Sequence, residues 1–359
     1  MSDAKNIKAG LGCFKNFKCI ASKCTDNCCI GWEIDVDDET LECYNSVGGE
    51  FGKRLRDNII VGDYNCFKMD KDDRCPFLND ENLCDIIINL GEDKIPYICT
   101  HHPRFYEWLY DRCEMGIGIC CPEASRMLYE SKEKIDIDVS YKMSNNMSDV
   151  VTYARETAFC ILQNRELSIG DRMISFLNYC EEVDLYLLED SAENIVHLAD
   201  LYKDNLYHRK KYSKEDLTKN ILEQFSSLEP INKEWAEYIK SLSLNGDSIT
   251  KHIDEFFFKF KENIYMYEHL MVYLTYRYFL KCLDDTDLLS KAGFIVVSTL
   301  FNILMDINSY IQSDTYNRVE NSVLYSKEVE YSQDNIDKIF DFVCDDSINL
   351  RGYAKFLFN

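Results

Sequence analysis

The hydrophobic and polar positions divide the chain into two parts of different character. From Met147 onward, apolar residues such as Ala154, Ala158 and Ile161 recur at spacings of three and four, the period of an amphipathic helix. Only one of the five prolines of the chain falls in this part, so little interrupts the helical pattern. The pattern predicts an all-α domain over residues 151–359.

One stretch of this domain, from Glu268 to Leu283, is apolar on most faces of the predicted helix. Leu274 lies along one side, and Met271 and Tyr273 fill more of the circumference. A helix of this kind is typical of a protein core. A role in lining a ligand pocket stays open, because the chain has 24 tyrosines and buried phenols need hydrogen-bond partners.

Residues 1–130 have a different composition. They hold 13 of the 17 cysteines, most of the glycines and four of the five prolines, which predicts short helices and loops tied down by a metal. Residues 131–150 are expected to be a connector with one short extended piece. The predicted fold class is therefore mainly α, in which a cysteine-rich, metal-bound N-terminal module precedes the helical domain of residues 151–359.

The cysteines of the N-terminal part fall into short-spaced groups, which predicts a metal or iron–sulfur site. Thiolates that lie close together repel unless protons, disulfides or a cation neutralise them, and one cation can fasten several loops together. The predicted ligands, in order of preference, are Cys75, Cys84, Cys99 and Cys121, then Cys28, then Cys24 and Cys29. The isolated cysteines are predicted to be core residues: Cys13, Cys43, Cys66, Cys113, Cys160, Cys180, Cys282 and Cys344.

The spacing leaves the identity of the metal open. The Cys75-Pro76 and Cys121-Pro122 steps favour a 4Fe–4S cluster, because proline often follows iron–sulfur ligands. Zinc is the alternative, with Cys24 and Cys28 as a knuckle. A disulfide framework would belong to an oxidising compartment, and the odd number of cysteines and the absence of a secretory signal at the start of the sequence count against it.

The net charge of −23 would repel a phosphate backbone, so nucleic acid is not an expected partner. The longest apolar stretch, residues 293–305, is interrupted by Ser, Thr and Asn and is too short to cross a bilayer. We therefore expect a cytoplasmic protein without membrane insertion.

Four cysteine-containing strings carry a resemblance to a known family. They are C-T-D-N-C-C-I-G-W-E-I-D-V-D from Cys24, R-C-P-F-L-N-D-E-N-L-C-D-I-I-I-N-L-G-E from Arg74, Y-I-C-T-H-H-P-R-F-Y-E-W from Tyr97, and G-I-C-C-P-E-A-S-R from Gly118. In order, spacing and flanking residues they resemble the flagellin lysine N-methylase family, often called FliB. Segments 268–281 and 325–332 resemble its C-terminal part. The cysteine-rich half also resembles small zinc- or iron-chelating proteins.

The resemblance implies methyl transfer from S-adenosylmethionine to surface lysines of flagellin, the protein of the bacterial flagellum. No glycine-rich loop after a buried strand and no C-x3-C-x2-C motif is present, so the enzyme is expected to be neither Rossmann-like nor radical-based, with a structural metal centre. The alternative is a protein that chelates metal or binds a flagellar partner without catalysis.

Within that resemblance, the segment after Cys99 is the best candidate for the reaction. Glu107 and Tyr106 are the catalytic candidates, with Glu107 meeting the target ammonium. Arg104 is expected to bind the carboxylate of the cofactor and Trp108 to stack on its adenine. The same segment also fits a helix start with a solvated Glu and a buried Trp. A second acidic candidate is the W-E-I-D-V-D run of residues 32–37, which also fits a half-buried strand.

Overall fold

The computed structural model describes residues 7–204 and 212–358, and it is mostly helical, as the sequence predicts. The helices are α1 Asp38–Ser46, α2 Gly49–Asp57, α3 Asp85–Leu90, α4 Tyr97–His101, α5 Pro122–Tyr129, α6 Met147–Leu162, α7 Ile169–Leu188, α8 Ala192–Asp204, α9 Thr218–Ser226, α10 Lys233–Leu244, α11 Gly246–Lys259, α12 Tyr265–Tyr278, α13 Cys282–Asp285, α14 Leu288–Ser313, α15 Arg318–Tyr325, α16 Gln333–Val343 and α17 Leu350–Leu357. The strands are β1 Ile7–Leu11, β2 Ile59–Ile60, β3 Cys66–Phe67, β4 Arg104–Trp108, β5 Cys113–Ile117 and β6 Ile137–Val139.

The chain folds into two compact units, and neither is one continuous segment. The larger unit comprises the described parts of Met1–Asn16, Tyr106–Gly116 and Ser125–Asn359, and the smaller comprises Phe17–Phe105 and Ile117–Ala124. Three pieces of the cysteine-rich segment 1–130 thus belong to the unit that holds the long helices. The predicted division near residue 130 stays a prediction.

A four-stranded sheet, in the order β4-β5-β1-β6, accompanies these helices. β1 runs parallel to β5 and antiparallel to β6, and Gly12 N donates to Asp136 O at 2.6 Å just beyond the β1–β6 ladder. β6 is the short extended piece that was expected in the connector. The sheet itself was not predicted, because its strands come from segments that are far apart in sequence.

Helix α14 is the core helix of the larger unit. Its side chains from Leu288 to Asn308 are nearly all buried. The most apolar window of the helix is buried to the same extent. The polar residues that interrupt the apolar pattern do not break the helix, since Thr299 and Asn302 donate to the preceding turn, at 2.9 Å and 2.8 Å. The helix is long and apolar enough to cross a bilayer, contrary to the sequence estimate, but its burial identifies it as a core helix.

Helix α12 confirms the predicted core helix with shifted ends. It begins at Tyr265, and a 3-10 turn at Phe279–Lys281 separates it from the short α13. Its tyrosines find partners inside the unit: the Tyr267 hydroxyl donates to Asp306 at 2.8 Å and the Tyr276 hydroxyl to Met115 O at 3.1 Å. These contacts satisfy the buried phenols without a ligand.

A π-helical segment, Ser326–Glu330, follows α15 directly. It turns two carboxylates inward. Glu328 accepts a hydrogen bond from Ile231 N at 2.8 Å, and Glu330 Oε2 accepts one from the Tyr273 hydroxyl at 3.0 Å and pairs with Arg277 at 3.0 Å. Single π turns are rare and are found often at functional positions.

The smaller unit has its own core, and the W-E-I-D-V-D run contributes to it. Ile34 and Val36 are buried in that core, whereas Glu33 and Asp35 are exposed, so the predicted alternation is confirmed. The run forms a single β-bridge, from Asp35 to Cys66, rather than a full strand. Glu33 and Asp35 therefore lie on a solvated face.

Asp37, the last acidic residue of that run, caps helix α1. Its side chain accepts hydrogen bonds from Thr40 N at 2.9 Å and from Tyr97 N at 2.8 Å. Burial raises its pKa, but these backbone donors lower it more, and the net pKa is below the ordinary value. A carboxylate stabilised in this way serves the fold rather than proton transfer.

Candidate functional site

Four of the predicted ligands lie against one hydrophobic core in the smaller unit. Cys75 belongs to that core, and Cys29, Cys84 and Cys99 pack against it. The backbone fixes their loops: Cys75 N donates to Cys29 O at 2.8 Å, and a β-bridge joins Leu78 to Cys84. Loops that are distant in sequence thus bring their thiols to one region.

The other predicted ligands are Cys24, Cys28 and Cys121. Cys28 lies near thiols of both groups, because its charge affects the pKa of Cys99 and of Cys121. The pKa of Cys121 is raised to about 11, first by burial and further by charge on Cys24 and Cys28. Burial likewise raises the pKa of Cys99, and charge on Cys75 and Cys28 adds to the rise. The thiols are therefore close enough to influence one another electrostatically.

By donor type, this set fits a zinc ion or an iron–sulfur cluster, since both prefer thiolates. Across residues 7–204 and 212–358, no three His, Cys, Asp or Glu side chains are arranged as a ready-made metal site. The raised pKa values of Cys75 and Cys121 keep these two thiols protonated, and metal binding there has to displace their protons. The metal centre and the choice of its ligands therefore stay predictions.

The adjacent cysteines 120 and 121 have unlike surroundings. Cys120 is buried, while Cys121 interacts with the other thiols, so one side chain of the pair acts as a small hydrophobe. In the adjacent pair Cys28 and Cys29, both side chains lie among the thiols. The pKa of Cys29 is raised first by a hydrogen bond with Cys28 and then by burial.

Among the isolated cysteines, Cys13, Cys43 and Cys66 are half-buried, and the others are either buried or exposed. Cys113, Cys180 and Cys282 are buried, as predicted. Cys160 and Cys344 are exposed, so the core assignment is wrong for them. In helix α6 the neighbours Ala158, Phe159 and Ile161 face inward, which leaves position 160 on the outer side.

The candidate catalytic segment is a strand rather than the start of a helix. β4 alternates its side chains, so Tyr106 and Trp108 share one face, with ring centroids 6.4 Å apart, and Glu107 points to the other. Trp108 is 60% exposed, contrary to the expectation of a buried Trp in a helix start. Aromatic residues favour strands, which explains the difference.

Arg104 is the first residue of β4. Its guanidinium lies over the ring of Phe17, 5.6 Å from the centroid, and its side chain is half-buried. A guanidinium that stacks on a ring in this way can still donate hydrogen bonds from its N–H groups to a carboxylate. The arrangement is compatible with the predicted role of Arg104.

Glu107 is a partly buried carboxylate that pairs with Lys281. Its Oε2 accepts a hydrogen bond from Lys281 Nζ at 3.4 Å, and its side chain is 23% exposed. Burial raises the pKa of Glu107, Lys281 opposes that rise, and the charges of Asp284 and Glu114 add to it; the net pKa is above the ordinary value. A carboxylate with a raised pKa is a stronger proton acceptor.

A buried network that the sequence did not reveal surrounds Glu114 on the neighbouring strand. Glu114 Oε2 accepts from Arg155 Nη2 at 2.6 Å, and Oε1 accepts from Arg112 Nε at 3.5 Å. The guanidinium of Arg155 lies 5.1 Å from the ring centroid of Tyr276. Burial raises the pKa of Tyr276, and the charges of Glu114 and Glu107 raise it further.

This network places Glu107, Glu114, Arg155 and Tyr276 within one electrostatic environment. Arg155 is wholly buried, and within the described residues its Nε and Nη1 have no hydrogen-bond partner. This environment combines carboxylates, a phenol and an arginine. Glu114 follows buried Cys113 in an otherwise apolar strand, and that polar residue in an apolar run is the one signal the sequence offered.

The part of the chain that matches a family model lies within the larger unit. The model of the FliB lysine N-methylase C-terminal domain matches residues 155–354, more than half of the chain. The flagellar biosynthetic protein FliU of Salmonella muenchen is 29% identical over 121 residues, which cover 32% of this chain and 72% of FliU. No solved structure matches the chain.

Two further relatives are named lysine-N-methylase. The protein of Salmonella choleraesuis (strain SC-B67) is 27% identical over 121 residues, covering 32% of this chain and 30% of the relative. That of Salmonella typhimurium (strain LT2) is 28% identical over 120 residues, covering 31% and 30%. The alignments thus span about a third of either protein. Because the family model covers most of the larger unit, the chain belongs to the FliB lysine N-methylase family.

Proposed function

We propose that this protein transfers methyl groups from S-adenosylmethionine to the ε-amino groups of surface lysines on flagellin, in the cytoplasm. Membership of a lysine N-methylase family supports the reaction, and a relative named for flagellar biosynthesis supports a flagellar substrate. The observation that carries the mechanism is the Glu107–Lys281 pair, in which a carboxylate of raised pKa already contacts a lysine ammonium.

The target lysine has to lose a proton before its nitrogen can attack, since its pKa is ~10.4. Glu107 accepts that proton at Oε2, where an incoming ammonium would take the place of the half-exposed Lys281. S-adenosylmethionine, when bound, supplies an electrophilic sulfonium methyl. Arg104 would hold its carboxylate and Trp108 would stack on its adenine, while the phenol of Tyr106, on the same face as Trp108, would position the sulfonium.

We also propose a 4Fe–4S cluster, with zinc as the alternative, bound by four of the grouped thiols. The preferred ligands are Cys75, Cys84, Cys99 and Cys121. The next candidates are Cys28, then Cys24 and Cys29. The cluster would hold the loops of the smaller unit and take no part in methyl transfer, because an unprotonated amine needs no radical activation.

Metal analysis tests this centre. Protein purified without oxygen should be brown and contain about four irons and four sulfides per chain. Cys75→Ser should lower the iron content and the soluble yield, because metal binding at such a site is coupled to folding. Cys344→Ser, at an exposed position, is the matched control and should retain iron. Stoichiometric zinc without visible absorption would replace the cluster by the zinc alternative.

Mass spectrometry of flagellin tests the activity. After incubation with the protein and S-adenosylmethionine, without a reductant, flagellin from the same source should gain ~14 Da per methyl group on surface lysines, faster at higher pH as the amine loses its proton. Flagellin that binds but stays unmodified, with an intact metal centre, would favour a flagellar binding protein. Activity that requires a strong reductant would favour radical chemistry.

A further inference from the structure

β6 is an edge strand of the four-stranded sheet in the described part of the chain. Gly12 N donates to Asp136 O at 2.6 Å, and the antiparallel register continues from there. In an antiparallel pair, the backbone groups of alternate residues face the partner strand, so those of Asp136 and Asp138 face β1. The backbone groups of Ile137 and Val139 therefore face the open edge.

The side chain of Gln163, at the end of α6, already covers the start of this edge. Ile135 N donates to Gln163 Oε1 at 2.8 Å, and Gln163 Nε2 donates to Ile135 O at 3.3 Å. The carboxamide thus imitates one residue of a neighbouring strand, because it offers an acceptor and a donor to the same residue. Ile137 and Val139 present the next such pairs of backbone groups.

A cleft of about 510 Å³ lies between this edge and helix α6. Ile137, Val139 and Phe159 give it apolar walls that suit the methylene stem of a long side chain. Glu156 adds a half-exposed carboxylate that pairs with Lys203 at 4.0 Å, and Lys134 and Asp136 also line the cleft. Cys160 lies at the same wall, and its exposure shows that α6 is solvated here.

We propose that the open edge of β6 binds an extended, lysine-bearing segment of the protein substrate as an added strand, with alternate side chains of that segment entering the cleft. This inference rests on the proposed methylation of flagellin. Main-chain hydrogen bonds to an open edge and pockets for alternate side chains are an established mode of peptide binding. The net charge of −23 and the Glu156 carboxylate favour a segment with lysines.

The docked segment is not the segment that reacts. Glu107 lies on β4, three strands away from β6, which corresponds to roughly 14 Å at ~4.8 Å per strand. An extended chain covers ~3.3 Å per residue, so at least about four residues would separate the docked segment from the methylated lysine. Docking should therefore affect KM for flagellin and leave kcat nearly unchanged.

Substitution of Val139 by proline tests the added strand. Val139→Pro removes the amide donor at the open edge without removing a hydrogen bond to β1, and edge strands tolerate proline there. Val139→Ala loses a similar part of the side chain and keeps the donor, so it is the matched reference. We expect KM for flagellin to be at least tenfold higher for the Pro variant than for the Ala variant, with kcat within twofold.

Hydrogen exchange on the wild-type protein gives a second measurement that needs no variant. Flagellin should protect the amides of Ile137 and Val139, whereas S-adenosylhomocysteine alone should not. Equal KM values for the two variants, or no protection by flagellin, would overturn the docking proposal while methylation stands. Protection by S-adenosylhomocysteine alone would assign the cleft to the cofactor and also overturn it. Wild-type protein that protects these amides with flagellin but transfers no methyl group would instead refute the proposed function.

Discussion

Replacing Glu107 by Gln should lower kcat for lysine methylation by about a hundredfold to ten-thousandfold, the usual contribution of a positioned general base. The amide keeps the shape of the side chain and the contact with Lys281 but cannot accept the proton of the target ammonium. Glu237→Gln, at an exposed position of α10, is the control and should retain the wild-type rate. Initial rates of methyl transfer to flagellin measure both variants.

The pH dependence gives the same test in the wild-type protein. The pKa of Glu107 is raised, so its base form is lost as the pH falls through a value above the ordinary ~4.3 of a glutamate. The acid limb of the rate profile should therefore lie above that ordinary value and should disappear in Glu107→Gln. An unchanged rate for Glu107→Gln would show that a group other than Glu107 accepts the proton.

Replacing Arg318 by Met should lower the free energy of unfolding by about 3–5 kcal/mol, because it leaves a buried carboxylate without its cation. Arg318 Nη1 lies 2.6 Å from Asp306 Oδ2, and both side chains are at most 2% exposed. Asn302 also contacts the guanidinium, its side-chain oxygen accepting from Nη2 at 2.6 Å. These contacts join α14 to α15 at the centre of the larger unit.

Urea unfolding measures this change. The control is Lys219→Met, which breaks an exposed pair with Glu223 one turn away and should cost no more than about 0.5 kcal/mol. A difference between the two variants below about 1 kcal/mol would show that Asp306 is satisfied without Arg318. Its other donors are the Tyr267 hydroxyl at 2.8 Å and Asn321 Nδ2 at 2.7 Å.

The sequence predicted those features that depend on local order along the chain. Helix α6 begins at Met147, where the helical period starts, and α12 is the core helix that its apolar circumference indicated. The short spacing of the cysteines also indicated grouped thiols, and four of the predicted ligands lie on one core. Local periodicity is read directly from a sequence, so these predictions were possible.

The sequence could not predict features that depend on pairing between distant segments. β1 pairs with β5 and β6, more than a hundred residues away, and its apolar pattern carries no sign of either partner. The same holds for the network of Glu114, Arg155 and Tyr276, which come from three different elements. The segment 104–108 was ambiguous for a further reason, since five residues are too few to distinguish a strand from a helix start.

The geometry of the π-helical segment after α15 depends on the number of residues that it contains. A π turn holds one more residue than an α turn, so the deletion of one residue within 326–330 would convert it to ordinary helix. Glu330 would then rotate by about 100° and lose both Tyr273 and Arg277. A relative with the same glutamate, tyrosine and arginine, but with one residue fewer in this segment, would therefore lack the buried contacts of Glu330. A one-residue gap in an alignment at this place would then mark a larger structural difference than several substitutions.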